Sequence, residues 1–256
     1  LDRLGIPLIE IATEPDIKNP EHAREVAQRI GLLLQATGKV KRGLGSIRQD
    51  LNVSIKKGTR VEIKGIQSLS SISRVAEKEV RRQKEIVEIK DILEKRINKK
   101  DLEHIDILDI SHILKKSNSN IIKKTLKNKG IIKGIKLPGF NLLLKKKDSR
   151  LGKEFAIYAR KETGIGGIIH SDELPAYGIT KEEFKKIKSF FNLEKNDAFV
   201  FATGTNKVVD NALKTVINRS KMCFKGVLSE VRRALEDDTT EYLRPMPGSA
   251  RMYPET

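Results

Sequence analysis

The stretch "IRQDLNVSI" (47–55) decides the fold of the first part of the chain, because its apolar and polar residues alternate. Successive side chains of a β-strand point to opposite faces of the sheet. The apolar face would carry Ile47, Leu51, Val53 and Ile55, with Gln49 among them. The polar face would carry Arg48, Asp50, Asn52 and Ser54. A short glycine-containing loop, "KKGT" (56–59), follows, which predicts a β-hairpin.

The second strand of this hairpin, within "TRVEIK" (59–64), repeats the pattern. Arg60, Glu62 and Lys64 share a face opposite Val61 and Ile63. Alternation of this kind is typical of a sheet with one face in water. Carboxylates fixed on strands also suit Mg²⁺, which prefers oxygen ligands and shares them with nucleotide phosphates. The strand pattern alone leaves both interpretations open.

Glu10 favours the second interpretation. It interrupts "IPLIEIA" (6–12), a short apolar run that predicts a buried strand. A buried carboxylate is costly unless it is paired, hydrogen-bonded or bound to a metal. The sequence therefore predicts a metal and phosphate site with Glu10, Asp50 and Glu62 as ligands. The neighbouring cations would neutralise phosphate charge: Arg48, Arg60 and Lys64.

Composition and charge indicate a globular protein with a polyanionic partner. The chain has 256 residues, 38% of them hydrophobic and 33% charged, which suits one large domain or two modest ones. The net charge of +17 favours RNA as the partner. An AT-rich genome offers the alternative explanation, since it also enriches lysine, isoleucine and asparagine.

Several classes of site have no support in the sequence. The single cysteine, Cys223, rules out an internal disulfide, and the four histidines lack metal-ligand spacing. No G-x-x-x-x-G-K-[ST] phosphate loop occurs, and neither Ser229 nor Cys223 has a convincing nearby base. His170 lies in a turn and is interpreted as structural. Without a membrane-length apolar run or a signal peptide, we expect a cytoplasmic protein.

Helix and strand signals along the rest of the chain predict an α+β fold. Asn19-Pro20 and Gly38 bound a helix whose apolar residues, including Ala23 and Leu33, would pack on a sheet. A capping box, Thr180-x-x-Glu183, opens another helix. The remaining predictions are helices at 70–98, 119–128 and 207–220 and a central strand at 197–203.

Three long motifs resemble the catalytic domain of the GatB/GatE family of tRNA-dependent amidotransferase subunits: "LDRLGIPLIEIATEPD" (1–16), "GSIRQDLNVSI" (45–55) and "GTRVEIKGIQSL" (58–69). The later half is similar to the archaeal GatE branch, in "GGIIHSDELPAYGITKEEF" (166–184) and "VRRALEDDTTEYLRPMPGSARMYPET" (231–256). The resemblance implies an antiparallel-sheet catalytic cradle like those of glutamine synthetase and guanido kinases. It also implies an inserted α+β unit similar to the GAD domain of aspartyl-tRNA synthetases. The expected boundaries are 1–133 for the cradle, 134–210 for the insertion and 211–256 for the returning cradle segment.

The resemblance also implies an activity, which is ATP- and Mg²⁺-dependent transamidation. Glutamate on misacylated tRNA(Gln) would be phosphorylated at its γ-carboxylate, and ammonia would then displace the phosphate. An asparaginase-like partner, GatD, would supply the ammonia within a hetero-oligomer that does not involve a membrane. Glu10 and Asp50 match the family's metal-ligand positions; Glu62, Arg48, Arg60 and Lys64 are added from strand geometry.

Two departures from the family pattern bear on activity. The N-terminal "GLEVH"-type motif and the C-terminal tRNA-gripping helical region are missing. We therefore expect a fragment cut at both ends, with half an active site and no activity alone. The alternative function is a non-catalytic tRNA-binding module in which the strand carboxylates are structural.

Overall fold

The computed structural model describes residues 9–41, 43 and 46–246. This part of the chain contains seven α-helices, eight β-strands and three short 3₁₀ helices. The α-helices are α1 (Pro20–Ala36), α2 (Leu69–Arg96), α3 (Ser111–Leu114), α4 (Asn120–Lys127), α5 (Leu151–Thr163), α6 (Lys181–Phe190) and α7 (Asn206–Met222). The strands are β1 (Leu51–Val53), β2 (Val61–Lys64), β3 (Leu108–Asp109), β4 (Ile131–Leu137), β5 (Ile169–His170), β6 (Ala198–Gly204), β7 (Glu230–Ala234) and β8 (Thr240–Pro245).

The strands form two separate four-stranded sheets. The first sheet has the order β1-β2-β7-β8, and the second has the order β3-β4-β6-β5. All pairs are antiparallel except β2 with β7, which run parallel. The α+β class is thus confirmed, while the first sheet is mixed rather than wholly antiparallel. Every strand of the second sheet lies between β2 and β7 in the sequence.

The first sheet has an apolar core on one side, and the second sheet has one on each side. Val61 and Ile63 of β2 are fully buried and pack with Val75 on the apolar side of the first sheet. The largest core cluster joins the second sheet to α5 and α7 and includes Phe155 and Val216. The predicted boundary at 134 falls inside β4, and the one at 210 falls inside α7; the division into three segments stays a prediction.

Capping side chains are found at the starts of α1 and α6, where the sequence predicts them. The Asn19 side chain accepts a hydrogen bond from the backbone N–H of His22 at the start of α1, 2.8 Å away. The capping box is formed as well, since Thr180 and Glu183 exchange hydrogen bonds at the start of α6.

Two expectations about the first 40 residues are wrong. Residues 9–12 form no strand, and Ile9 and Ile11 are 83% and 52% exposed, because β1 has no neighbour on its outer edge within the described chain. Residues 6–8 lie outside the described residues. Helix α1 packs on α2 rather than on a sheet, and Leu33 is 65% exposed rather than buried.

A buried group of charged side chains connects β7 of the first sheet to helices α2 and α5. Arg232 of β7 is fully buried, and its guanidinium lies 2.5 Å from Glu154 of α5 and 2.5 Å from Glu230. Glu79 of α2 lies 3.9 Å from Arg232 and forms two hydrogen bonds of 2.9 Å with Arg82. Charge pairing on every side offsets the cost of removing these groups from water.

Candidate functional site

The register of β1 and β2 brings predicted site residues together. Leu51 pairs with Ile63 and Asn52 pairs with Glu62, so Asp50 lies beside Lys64 at the end of β2. The Lys64 ammonium Nζ is 2.5 Å from Asp50 Oδ2 and 2.5 Å from Glu62 Oε1. Two carboxylates therefore converge on one positive charge, on the face opposite the buried Val61 and Ile63.

The surroundings of Lys64 stabilise its charged form. Partial burial lowers the pKa of Lys64, but the hydrogen bonds to Asp50 and Glu62 outweigh burial and raise the pKa above its ordinary value. The side chains of Asp50 and Glu62 are 42% and 21% exposed. This cluster is thus open to solvent and to a ligand, unlike the buried ion pairs around Arg232.

The parallel pairing of β2 with β7 extends the cluster across the sheet. Lys64 pairs with Arg233, and Arg233 forms an ion pair of 2.5 Å with Glu241 on β8. We call Asp50, Lys64, Arg233 and Glu241 the charged row; it runs from the residue before β1 across β2, β7 and β8.

Sequence reasoning missed Arg233 and Glu241. The turn "LEDDTT" (235–240) between two strand-like runs is a hairpin signal that would have placed them opposite each other. No local signal could pair β2 with β7, because residues 65–229 separate the two strands.

The other predicted site residues do not join the charged row. Arg48 and Arg60 are exposed and form no ion pair within 9–41, 43 and 46–246; the Arg60 carbonyl accepts a hydrogen bond from Ser229. Residues 47–50 precede β1 rather than belonging to it. Glu10 is exposed rather than buried in a strand, and it pairs with no cation in the described chain.

The donor atoms fit part of a magnesium site. Among the described residues, no three histidine, cysteine or carboxylate side chains group closely enough to hold a metal ion. Asp50 and Glu62 nevertheless offer two oxygen ligands at one position, which the Lys64 ammonium occupies in this structure and would have to leave for Mg²⁺. Mg²⁺ commonly takes one or two protein carboxylates and completes its shell with water and phosphate oxygens.

Comparison with known proteins identifies the family. Residues 1–256 match the GatB/GatE catalytic domain. The chain belongs to the GatB/GatE catalytic domain family. The resemblance seen in the motifs around Glu10, Asp50 and Glu62 is thereby confirmed at the level of the family.

Archaeal members of the GatB/GatE family are similar to the whole chain. The E subunit of the glutamyl-tRNA(Gln) amidotransferase from Methanocaldococcus jannaschii is 53% identical over 260 residues, covering 100% of this chain and 41% of the relative. The protein of the same name from Sulfurisphaera tokodaii is 50% identical over 261 residues, covering 100% of this chain and 42% of the relative. The chain spans about two fifths of the length of the curated relatives it matches.

The length and hydropathy of the helices show whether any of them could cross a membrane. Within the described residues of this GatB/GatE family chain, no helix combines the length and apolarity that crossing a bilayer requires.

Proposed function

We propose that this chain is part of an ATP-dependent amidotransferase that converts Glu-tRNA(Gln) to Gln-tRNA(Gln). The support is membership of the family together with the names of the archaeal relatives, each of which is the E subunit of a glutamyl-tRNA(Gln) amidotransferase. The γ-carboxylate of the tRNA-bound glutamate accepts the terminal phosphoryl group of ATP. Ammonia from an asparaginase-like partner, GatD, then displaces the phosphate and forms the amide.

The observation that carries this proposal is the convergence of Asp50 and Glu62 on Lys64. In the proposed site, Asp50 and Glu62 hold Mg²⁺ through their carboxylate oxygens, and Glu10 adds a ligand from the preceding segment. Bound Mg²⁺ screens the phosphate charge as two anions approach each other.

The cations of the same face bind the nucleotide phosphates. Lys64 and Arg233 lie on adjacent strands, and Arg48 and Arg60 are exposed beside β1 and β2. Positive charges fixed on strands stabilise the charge that develops during phosphoryl transfer without reorganising. No enzyme nucleophile is needed, because the phosphorylated carboxyl group is itself the acyl donor.

The fold supports the proposed organisation into a cradle and an inserted unit. The first sheet would form the cradle floor, with the charged row on its open face. The strands of the second sheet all lie in the chain between β2 and β7, as an insertion requires. We propose that this inserted unit is the GAD-like domain.

Substitution of the carboxylates tests the function. In the full-length protein that carries this chain, Asp50→Ala and Glu10→Ala should each lower transamidation at least about 100-fold while tRNA affinity changes less than about threefold. The matched control is Asp106→Ala, which removes an exposed carboxylate from a loop outside the first sheet. Product is measured as Gln-tRNA(Gln), and tRNA affinity is measured separately by filter binding.

The same experiment decides the alternative function. Unchanged transamidation in Asp50→Ala and Glu10→Ala would contradict the proposed site and favour a non-catalytic tRNA-binding module with structural strand carboxylates. The salt dependence of tRNA binding does not separate the two, since a chain of charge +17 predicts a steep dependence under either.

A further inference from the structure

A basic cavity that shares no residue with the charged row lies at the start of α5. Its volume is about 620 Å³. One wall is the segment 144–153, which enters α5; the other walls include Ile168, His170 and Tyr177. A cavity of this size accommodates a mononucleotide or a short stretch of a phosphodiester backbone.

Positive charge dominates the lining of this cavity. Lys145, Lys147 and Lys153 are exposed, and none forms an ion pair with the described part of the chain. Two further cations are engaged: Lys146 lies 2.7 Å from Glu88, and Arg150 lies 3.6 Å from Asp237.

Glu173, the single carboxylate among the described residues that line the cavity, already has partners. It accepts hydrogen bonds from the Tyr177 hydroxyl at 2.9 Å and from the backbone N–H of His170 at 3.0 Å. The described lining therefore retains an excess of cations that are not neutralised.

A buried imidazole without a partner lies in the wall of the cavity. His170 is 94% buried, since 6% of its surface is exposed, and Nδ1 has no hydrogen-bond partner in the described chain. Its Nε2 is 3.9 Å from the Glu173 carboxylate, which is too long for a hydrogen bond. Nδ1 has almost no accessible surface, so a ligand in the cavity can reach only Nε2, which forms no hydrogen bond within the described residues.

Gly152 keeps the imidazole close to the first turn of α5. A Cβ atom at Gly152 would lie 2.3 Å from His170 Nε2, so only glycine allows this approach. The Gly152 N–H already donates to the Leu144 carbonyl at 2.8 Å, so the helix start contributes the positive end of its dipole rather than this donor. The helix start, the buried ring and the exposed lysines thus meet at one place.

We propose that this cavity binds a phosphate group, with Lys145, Lys147 and Lys153 supplying charge and His170 supplying a hydrogen bond. Phosphate suits the cavity because several dispersed donors can each reach one of its oxygens. The group comes either from a free nucleotide or from an RNA backbone, and these sources share the same chemistry. The site shares no residue with the proposed transamidation site and does not depend on it.

Histidine NMR tests the proposal directly. The chain has four histidines, His22, His104, His112 and His170, so a ¹³Cε1-histidine spectrum contains few signals, and His170→Gln identifies the one in the cavity. Inorganic phosphate, UMP and a five-nucleotide uridine RNA are titrated in turn. We expect the His170 signal to move with saturation, while His22 and His104 stay in place.

A matched pair of lysine variants separates a built site from general attraction. Lys153 and Lys207 are both exposed lysines in the first turn of a helix, but only Lys153 lines the cavity. Lys153→Ala should weaken binding about tenfold, and Lys207→Ala should change it less than about twofold.

The outcomes of these titrations identify the source of the phosphate or overturn the proposal. Saturable shifts with all three probes support a phosphate site open to free nucleotides, and shifts with the RNA alone support the backbone as the source. No His170 shift with any probe, or equal weakening by Lys153→Ala and Lys207→Ala, overturns the proposal.

Discussion

Two neighbouring arginines of β7 occupy opposite environments. Arg232 is fully buried among carboxylates, whereas Arg233 is 57% exposed and paired with Glu241. Arg232→Met would leave Glu154 and Glu230 without their cation in a buried setting. We expect a loss of about 3–5 kcal/mol in the free energy of unfolding, measured by urea denaturation.

Arg233→Met is the matched control for that prediction. Its ion pair is exposed, so we expect a change of about 1 kcal/mol or less. Similar losses in the two variants would contradict the buried network described around Arg232.

Gly152 gives a second prediction for a single residue. In Gly152→Ala, the new Cβ would lie 2.3 Å from His170 Nε2, and the buried ring cannot easily move aside. We expect a loss of about 1–3 kcal/mol in thermal or urea unfolding.

Gly31→Ala is the control, because a Cβ at this position in α1 meets nothing within 4 Å. Replacing a helical glycine by alanine there should stabilise the protein by about 0.5–1 kcal/mol. Changes of the same sign in both variants would contradict the close approach of His170 to α5.

Residue types alone predicted only part of the candidate site. Alternation along 59–64 correctly put Glu62 and Lys64 on the face opposite Val61 and Ile63. For Glu10, the apolar neighbours suggested burial, but burial depends on a neighbouring strand that the local sequence does not specify. Arg232 shows the converse, since a charged residue in a strand suggests exposure until its buried partners are known.

At the scale of elements, helices were more predictable than strands. Caps and stop signals act within a few residues, so α1, α2 and α7 begin and end close to their predicted bounds, and α6 begins where its capping box predicts. Strand length depends on the partner: β1 is limited to Leu51–Val53, although alternation extends over 47–55.

Helix α1 and helix α2 should differ sharply in their tolerance of substitution. Leu33 of α1 is 65% exposed, while Leu93 of α2 is fully buried in the main core. We expect Leu33→Ala to change the free energy of unfolding by about 0.5 kcal/mol or less and Leu93→Ala to lower it by about 2–5 kcal/mol. A large loss in Leu33→Ala would show that contacts other than those with α2 also bury α1.

For the whole molecule, the buried charges make stability depend on pH. Burial raises the pKa of Glu79, but Arg82 and Arg232 outweigh it and hold the pKa below its usual value of 4.5. The folded state therefore binds a proton less readily than the unfolded state. Glu79 contributes stability above about pH 4.5, and this contribution is lost as the pH falls through the folded-state pKa.

We expect the free energy of unfolding to fall as the pH drops below about 4.5, with a shallower slope in Glu79→Gln. Glu77→Gln is the control on the same helix, since Glu77 is exposed and pairs with Arg81 at the surface. Urea denaturation across this pH range measures the slope. An unchanged slope in Glu79→Gln would show that Glu79 does not couple folding to protonation.

The parallel pairing of β2 with β7 also sets the order of events on the ribosome. Residues 65–229 must be synthesised between the two strands, which takes roughly 10–30 s at about 5–20 residues per second. Throughout that interval one edge of β2 has no neighbour, whereas every strand of the second sheet has been synthesised by the end of the interval. Translation that stops before residue 230 therefore releases a polypeptide with an open edge, prone to aggregate with its own copies.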